Sequence, residues 1–429
     1  MSVRPYHALQ HRDFRSLWLA QLVSQTGSQM QVVAINWHVY LLTKSPLALG
    51  FVGLTRVLPI VVFSLWGGVL ADRADRRRLM LAAQSAMTLV SVALAGLAFA
   101  RRDSVAAIYV LNALQACATS FDNPARQSLV PRLVPLSDLP GALALNLTMF
   151  QVATIAGPGL AGLLLASLAE LPAFAGAAGP SAVGVLYALN AVSFLFVLAA
   201  LLGMRAPTAP ERGDGPHESP LAALRSGLRF VFTTPIMVWT MALDFVATFF
   251  AGAMSLLPIV ADQVLHVGPA GYGWLAAAPA TGALVGSLYI SVLPLPRRQG
   301  PTLLWAVAAY GAATIVYGLS RSYVLTFLAL AGTGLADVIS TVIRQTVRQL
   351  GTPDALRGRM TAVNMIFFMG GPQLGELEAG FVASRFVSVV TGVTVSIVSG
   401  GVVTLIVTAV VAAATPVVRR YENARGPAG

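Results

Sequence analysis

The chain reads as an all-α membrane protein, about twelve transmembrane helices arranged as two six-helix pseudo-symmetric bundles. Composition, the spacing of apolar runs and an internal repeat carry that prediction. Of 429 residues, 56% are hydrophobic and 10% are charged, and the mean hydropathy is +0.74. A soluble domain carries about 25% charged residues. Apolar runs near the roughly 20 residues that cross a hydrocarbon core recur along the chain. They are expected at 15–42, 48–71, 78–100, 104–123, 139–168, 182–203, 236–262, 270–293, 301–320, 323–345, 359–384 and 389–415.

These spans group as an N-terminal bundle at 1–203 and a C-terminal bundle at 236–429, joined by a polar linker at 204–235. In the linker, PTAPERGDGPHESP has no apolar face to bury. The amphipathic piece at 220–232 is suited to a membrane surface. Residues 169–181 make a loop on the outer side. With both termini inside, 22 of the 28 Lys+Arg residues fall in cytoplasmic segments and five fall outside. Arg56 lies inside span two, where it either snorkels or meets an anionic substrate. That asymmetry fixes the orientation and agrees with an even number of spans.

One shift of 218 positions pairs Arg126-Gln127 with Arg344-Gln345, Pro135 with Pro353, Asn146 with Asn364 and Phe150 with Phe368, without a gap. The halves are therefore parallel repeats. Transporters built this way bind substrate near the midplane and rock one half against the other.

Several function classes are excluded. The net charge of +11 is spread over short loops, so it signals topology and not nucleic-acid binding. The single cysteine, Cys117, permits neither an intrachain disulfide nor a cysteine-based metal site. No Walker A pattern, catalytic triad or metal-ligand constellation is present, so no enzyme, cofactor or metal is expected. No cleavable signal peptide is expected either.

The candidate substrate-cavity residues are polar groups inside spans. Gln21, Gln25 and Gln29 share one face of span one, and Asn36 continues it. His38 lies near the same end but points elsewhere. Asn112, Gln115 and Thr119 follow one face of span four, and Asn146 and Asn364 are the repeat-related pair. Such stripes line a cavity or bond neighbouring helices, and both readings stand.

Four carboxylates lie within spans: Asp244, Asp337, Glu376 and Glu378. An ionised carboxylate there is costly unless paired, protonated or open to a cavity. Desolvation raises the pKa of such groups, which makes them candidate proton carriers. Glu376 and Glu378 sit about 200° apart on a helix, so one faces a cavity and the other a neighbouring helix. The alternative for Asp337 is a static pair with Arg344.

Between spans two and three stands GGVLADRADRRRL, residues 67–79. It resembles the loop between helices two and three of the major facilitator superfamily, G-x-x-x-D-R-x-G-R-R/K. Gly68, Asp72, Arg73, Arg76 and Arg77 fall on that pattern, while Asp75 replaces its glycine. HRDFRSLWLAQLVSQTGSQM, WHVYLLTKSPLALGFVGL, RQTVRQLGTPDALRGRMTAVN and GPQLGELEAG extend the resemblance to the branch of enterobactin and drug exporters. Gly157-Pro158-x-x-x-Gly162 partly matches the superfamily's antiporter signature in span five.

The resemblance implies a bacterial inner-membrane, multi-pass exporter driven by proton antiport, with both termini cytoplasmic. Its expected partners are a small amphipathic organic molecule such as a siderophore or drug, protons and the lipid bilayer, and it is expected to be monomeric. It also implies that Asp72 faces the start of span eleven and that Arg76 reaches Asp122 at the end of span four. These are gating residues in that reading. A lipid or lysolipid flippase, or a non-transporting receptor or scaffold on the same fold, are the alternatives.

Overall fold

The computed structural model describes residues 5–73, 75–171, 180–206, 220–293, 297–353 and 356–422. The side chains of 5, 64–73, 180–181, 220–224, 227, 357–359, 361–363, 365–366 and 368–369 are excepted. Among the described residues every regular element is helical. The long helices are α1 (Arg12–Thr43), α2 (Pro46–Arg73), α3 (Arg76–Phe99), α4 (Val105–Leu133), α5 (Leu139–Ala169) and α6 (Pro180–Leu202). After α7 (Pro220–Thr233) come α8 (Pro235–Phe250), the one-turn α9 (Leu257–Ile259), α10 (Gly268–Val292), α11 (Gln299–Leu319), α12 (Tyr323–Gly351), α13 (Arg357–Ala383) and α14 (Val389–Ala414). A last short turn, α15, spans Pro416–Arg419. Nine helical segments among the described residues are long and apolar enough to cross a membrane. Helices α1, α4 and α13 match them in length but carry more polar groups.

Local chemistry sets the helix ends. Asp75 is the N-cap of α3, its carboxylate accepting from the backbone N–H of Arg77 at 2.9 Å and Arg78 at 3.2 Å. An acid suits this place because it satisfies orphan donors at the positive end of a helix. Ser104 caps α4 and Ser388 caps α14 in the same way. Lys44 ends α1 in the left-handed region at φ 50°.

The chain forms two compact units. One holds Met1–Lys44, Thr55–His217 and Gly268–Ala277; the other holds Ser45–Leu54, Glu218–Val267 and Ala278–Gly429. In the first, α1 packs on α5 and α6, and α3 packs on α4 and α6. Phe14, Leu17, Met80, Leu129 and Leu201 form a buried cluster there. In the second, α11 packs on α12 and α14, and α13 packs on α8 and α14. Close approach requires glycine at several places in this unit, Gly334 and Gly400 among them. A Cβ at Gly334 would overlap the Pro279 carbonyl, and one at Gly400 would overlap the Phe250 carbonyl.

The structure adds detail at two places. Span seven is not one continuous helix, because α8 stops at Phe250 and the chain resumes as a 3-10 turn at Ala253–Leu256. Helix α7 buries part of its apolar face in the protein: Leu228, Phe230 and Val231 pack with Met237, Met241, Met360 and Phe367. Its Phe232 stays 68% exposed. The linker stretch 207–219 and most of the outer loop, 172–179, lie outside the described residues.

Candidate functional site

The break in span seven begins with sequence. Gly252 has poor helix propensity, and Pro258 lacks the N–H that would bond back to the Met254 carbonyl. From Gly252 onward the chain adopts a 3-10 turn, then α9, which holds Pro258, then a π-turn at Val260–Val264. The last turn of α8 therefore ends inside a span. A Cβ at Gly375 would overlap its Phe249 carbonyl and one at Gly400 its Phe250 carbonyl, so both places call for glycine. Ser255 Oγ donates to the Glu376 carbonyl at 3.4 Å.

Helix α12 brings charge to this break. Thr333, Asp337, Thr341 and Arg344 recur at three- and four-residue steps, so they share one face. Arg344 is 4% exposed and forks between two acids. One guanidinium nitrogen lies 2.7 Å from Asp244 Oδ1 and donates to Ser340 Oγ at 2.8 Å; the other lies 3.6 Å from Asp337 Oδ1 and donates to Thr341 Oγ1 at 2.8 Å. The shorter ion-pair contact goes to Asp244, which is 6% exposed. The Asp337 side chain keeps 41% of its surface exposed because it faces open space.

That space is a cavity of about 230 Å³ within the second unit, lined by residues of α8, the broken segment and α10 to α13. Asp337 and Glu376 both line it, with Thr248, Gly252, Met254, Tyr310, Thr314, Tyr317 and Thr333. Asp337 also lines a smaller neighbouring space with Asp244, Tyr310 and Arg344. Glu378, two residues along α13, is half-buried and does not line the larger cavity. A further cavity of about 580 Å³ lies at the α12–α13 turn, lined by Gln345, Arg348, Gln349 and Asn364 among others.

The polar candidates of the first unit are dispersed. Gln21 is 2% exposed, and Gln25 donates to its side-chain oxygen at 3.5 Å. Asn36 donates to the Val32 carbonyl and Asn112 to Thr55 Oγ1. Thr119 donates to the Gln115 carbonyl. Gln29, Gln115 and Asn146 are half-buried. His38 is 1% exposed, with Nδ1 3.1 Å from the Tyr187 hydroxyl and Nε2 3.5 Å from Asp103. It therefore sits in a packed cluster. Burial pushes the Asp103 carboxyl above its ordinary value.

Sequence reading missed the strongest polar network. Ser91 Oγ donates to Gln31 Oε1 at 2.7 Å, Asn190 Nδ2 donates to the same oxygen at 2.8 Å, and Ser193 donates to Asn190 Oδ1 at 3.0 Å. Gln31 falls off the Gln21–Gln25–Gln29 face, and its partners lie on α3 and α6. It also missed Gln84, which donates to Asp122 Oδ1 at 2.9 Å. Arg126, one turn on, lies 3.9 Å from Asp122. Gly68, Asp72 and Arg73 end α2, but their side chains lie outside the described residues. Arg77 donates to the Leu202 carbonyl at 2.8 Å, and Arg76 is half-buried at the start of α3.

Comparison with known proteins agrees with this architecture. A family model described as a transmembrane secretion effector matches residues 3–425. The enterobactin exporter EntS of Shigella boydii serotype 18 is 27% identical over 370 residues, covering 86% of this chain and 85% of that protein. EntS of Escherichia coli O81 is 26% identical over the same length and shares. Among solved structures, an inward-facing, unoccupied bacterial homologue of the human lysosomal transporter Spinster superposes with a TM-score of 0.72 at 17% identity, covering 97% of this chain and 99% of that one. A point mutant of the nucleoside transporter NupG gives 0.71 at 12% identity, covering 94% and 100%. The chain belongs to the transmembrane secretion effector family of the major facilitator superfamily, and is a multi-pass membrane transporter rather than an enzyme.

Proposed function

We propose that this transporter exports a small amphipathic organic molecule, siderophore-like or drug-like, across the bacterial inner membrane in exchange for protons. In this reading α1, α4 and α13 also cross the bilayer. That makes twelve spans in two repeated bundles, with both termini cytoplasmic and the monomer as the working unit. The similarity to enterobactin exporters supports export of a small molecule. The observation that carries proton coupling is the cavity beside the broken span seven, which both Asp337 and Glu376 line.

A carboxylate at such a site can be neutralised by a proton from one side and relieved of it on the other. Arg344 holds Asp244 tightly, which leaves Asp337 as the more accessible acid of that trio. Gly68, Asp72, Arg73, Arg76, Arg77 and Asp122 act as gating residues in this reading, not substrate ligands. The test is transport in proteoliposomes. Asp337→Asn or Glu376→Gln should abolish uphill export driven by a pH gradient while sparing counterflow exchange. Full pH-driven efflux in both single variants and in the double variant would sink the assignment. Asp244 or Glu378 would then be the next coupling acid.

A further inference from the structure

We propose that the cavity beside the broken span seven receives a primary ammonium group, the charged end of a small amine-bearing substrate. The inference rests on the export reading and specifies the chemistry its site accepts. The cavity, about 230 Å³, is smaller than the roughly 300–1,000 Å³ of drug-sized sites, so it suits one end of a molecule.

Its walls offer acceptors. Thr248, Thr314 and Thr333 all line it, and each has already committed its hydroxyl proton to a carbonyl of its own helix: those of Asp244, Tyr310 and Leu330. Only lone pairs remain to them. The Asp337 carboxylate is an acceptor as well, and the cation nearest to it makes its shorter contact with Asp244. A ligand here must therefore bring donors and positive charge together, and an –NH₃⁺ group brings three donors and one charge.

A second, independent feature points to an occupant. Tyr317 lines the cavity, is 4% exposed, and its hydroxyl has no hydrogen-bond partner among the described residues. An unsatisfied buried hydroxyl is costly, and a ligand in the cavity would satisfy it once the ring turns its hydroxyl toward that space. Tyr310 and Tyr317, two turns apart on α11, add aromatic surface to which a cation is attracted.

The probe is 2-phenylethylammonium chloride, titrated by equilibrium dialysis against the full-length protein in detergent at constant pH and ionic strength. Saturable binding is expected. The trimethylated analogue, which keeps the charge but has no N–H donors, should bind about fivefold more weakly, and 2-phenylethanol should not compete. Asp337→Asn should weaken binding about tenfold, and Tyr317→Phe or Thr333→Val about fivefold. If Asp337→Asn does not fold, those two variants carry the test.

Absent saturable binding, equal affinity for the trimethylated analogue, or undiminished binding in folded Asp337→Asn or Tyr317→Phe protein would overturn the proposal. So would competition by sodium chloride at the same concentration as the amine, which would mark an inorganic cation site. No gradient is present in this assay. Its failure alongside intact pH-driven transport by the wild type would therefore leave the coupling reading standing.

Discussion

The two units bury polarity in different ways. In the first, Gln31, Ser91, Asn190 and Ser193 are uncharged, between 0% and 4% exposed, and bonded to one another across α1, α3 and α6. In the second, Asp244, Arg344 and Asp337 are charged, and one member faces a cavity beside a broken helix. A closed neutral network fixes helices against each other and asks for nothing more. In the charged trio one arginine serves two acids, and under the proposed coupling a proton or cation arriving at Asp337 would redistribute the arginine's contacts. The first has every member partnered within the network, whereas the second keeps one acid open to a cavity.

The sharpest way to break this contrast is to remove the arginine. Arg344→Gln leaves Asp244 buried without its counter-charge, which should cost about 3 kcal/mol or more of stability. Thermal unfolding in detergent measures it. Pairing the change with Asp244→Asn should recover much of the loss, since both charges then leave together. A single variant as stable as the wild type would show that the trio is solvated and not buried.

The next effect should be smaller and should reverse the pattern. Asn190→Leu removes a hub that bonds Gln31, Ser91 and Ser193. Leaving Gln31 short of a donor should cost about 1–3 kcal/mol of stability. Transport by the folded fraction should keep its apparent substrate affinity. Asp337→Asn should do the opposite, changing stability by less than about 1 kcal/mol, since that side chain is already 41% exposed. Should Asn190→Leu alter the pH dependence of transport, the neutral network would belong to the coupling machinery after all.

Much of this was legible in the sequence. Hydropathy located the nine helical segments apolar enough to cross a membrane, because a bilayer forces long apolar helices, and the carboxylates inside the expected spans stood out because burying them is costly. Asp337 and Glu376 do share a cavity wall. What did not show was long-range pairing. Nothing local links Gln31 to Asn190 or Gln84 to Asp122, because their contacts arise only when helices pack. The break at Gly252 was hidden for another reason. Hydropathy averages over a window, and ATFFAGAMSLLP is apolar whether or not it is helical. Gly252 and Pro258 together were the available signal. Asp75 was visible but misplaced as a defect in the loop pattern, because a capping acid is recognised only once the start of α3 is known.

The smallest effect concerns a place where the first unit's packing sets a buried histidine beside a carboxylate outside the spans, His38 beside Asp103. Asp103, in the α3–α4 turn, has a side chain 5% exposed and lies 3.5 Å from His38 Nε2. Burial pushes its carboxyl above the ordinary value, partly opposed by a backbone hydrogen bond. A raised value means the folded state holds this proton more tightly than the unfolded chain does. The stability from this group is therefore full at low pH and is lost as pH rises through its folded pKa. Unfolding temperatures measured from acid pH upward should fall slightly over that interval, and Asp103→Asn, which keeps the shape without the titration, should flatten the slope. His38→Gln separates the histidine's own contribution. If the slope persists unchanged in Asp103→Asn, Asp103 is not the titrating group.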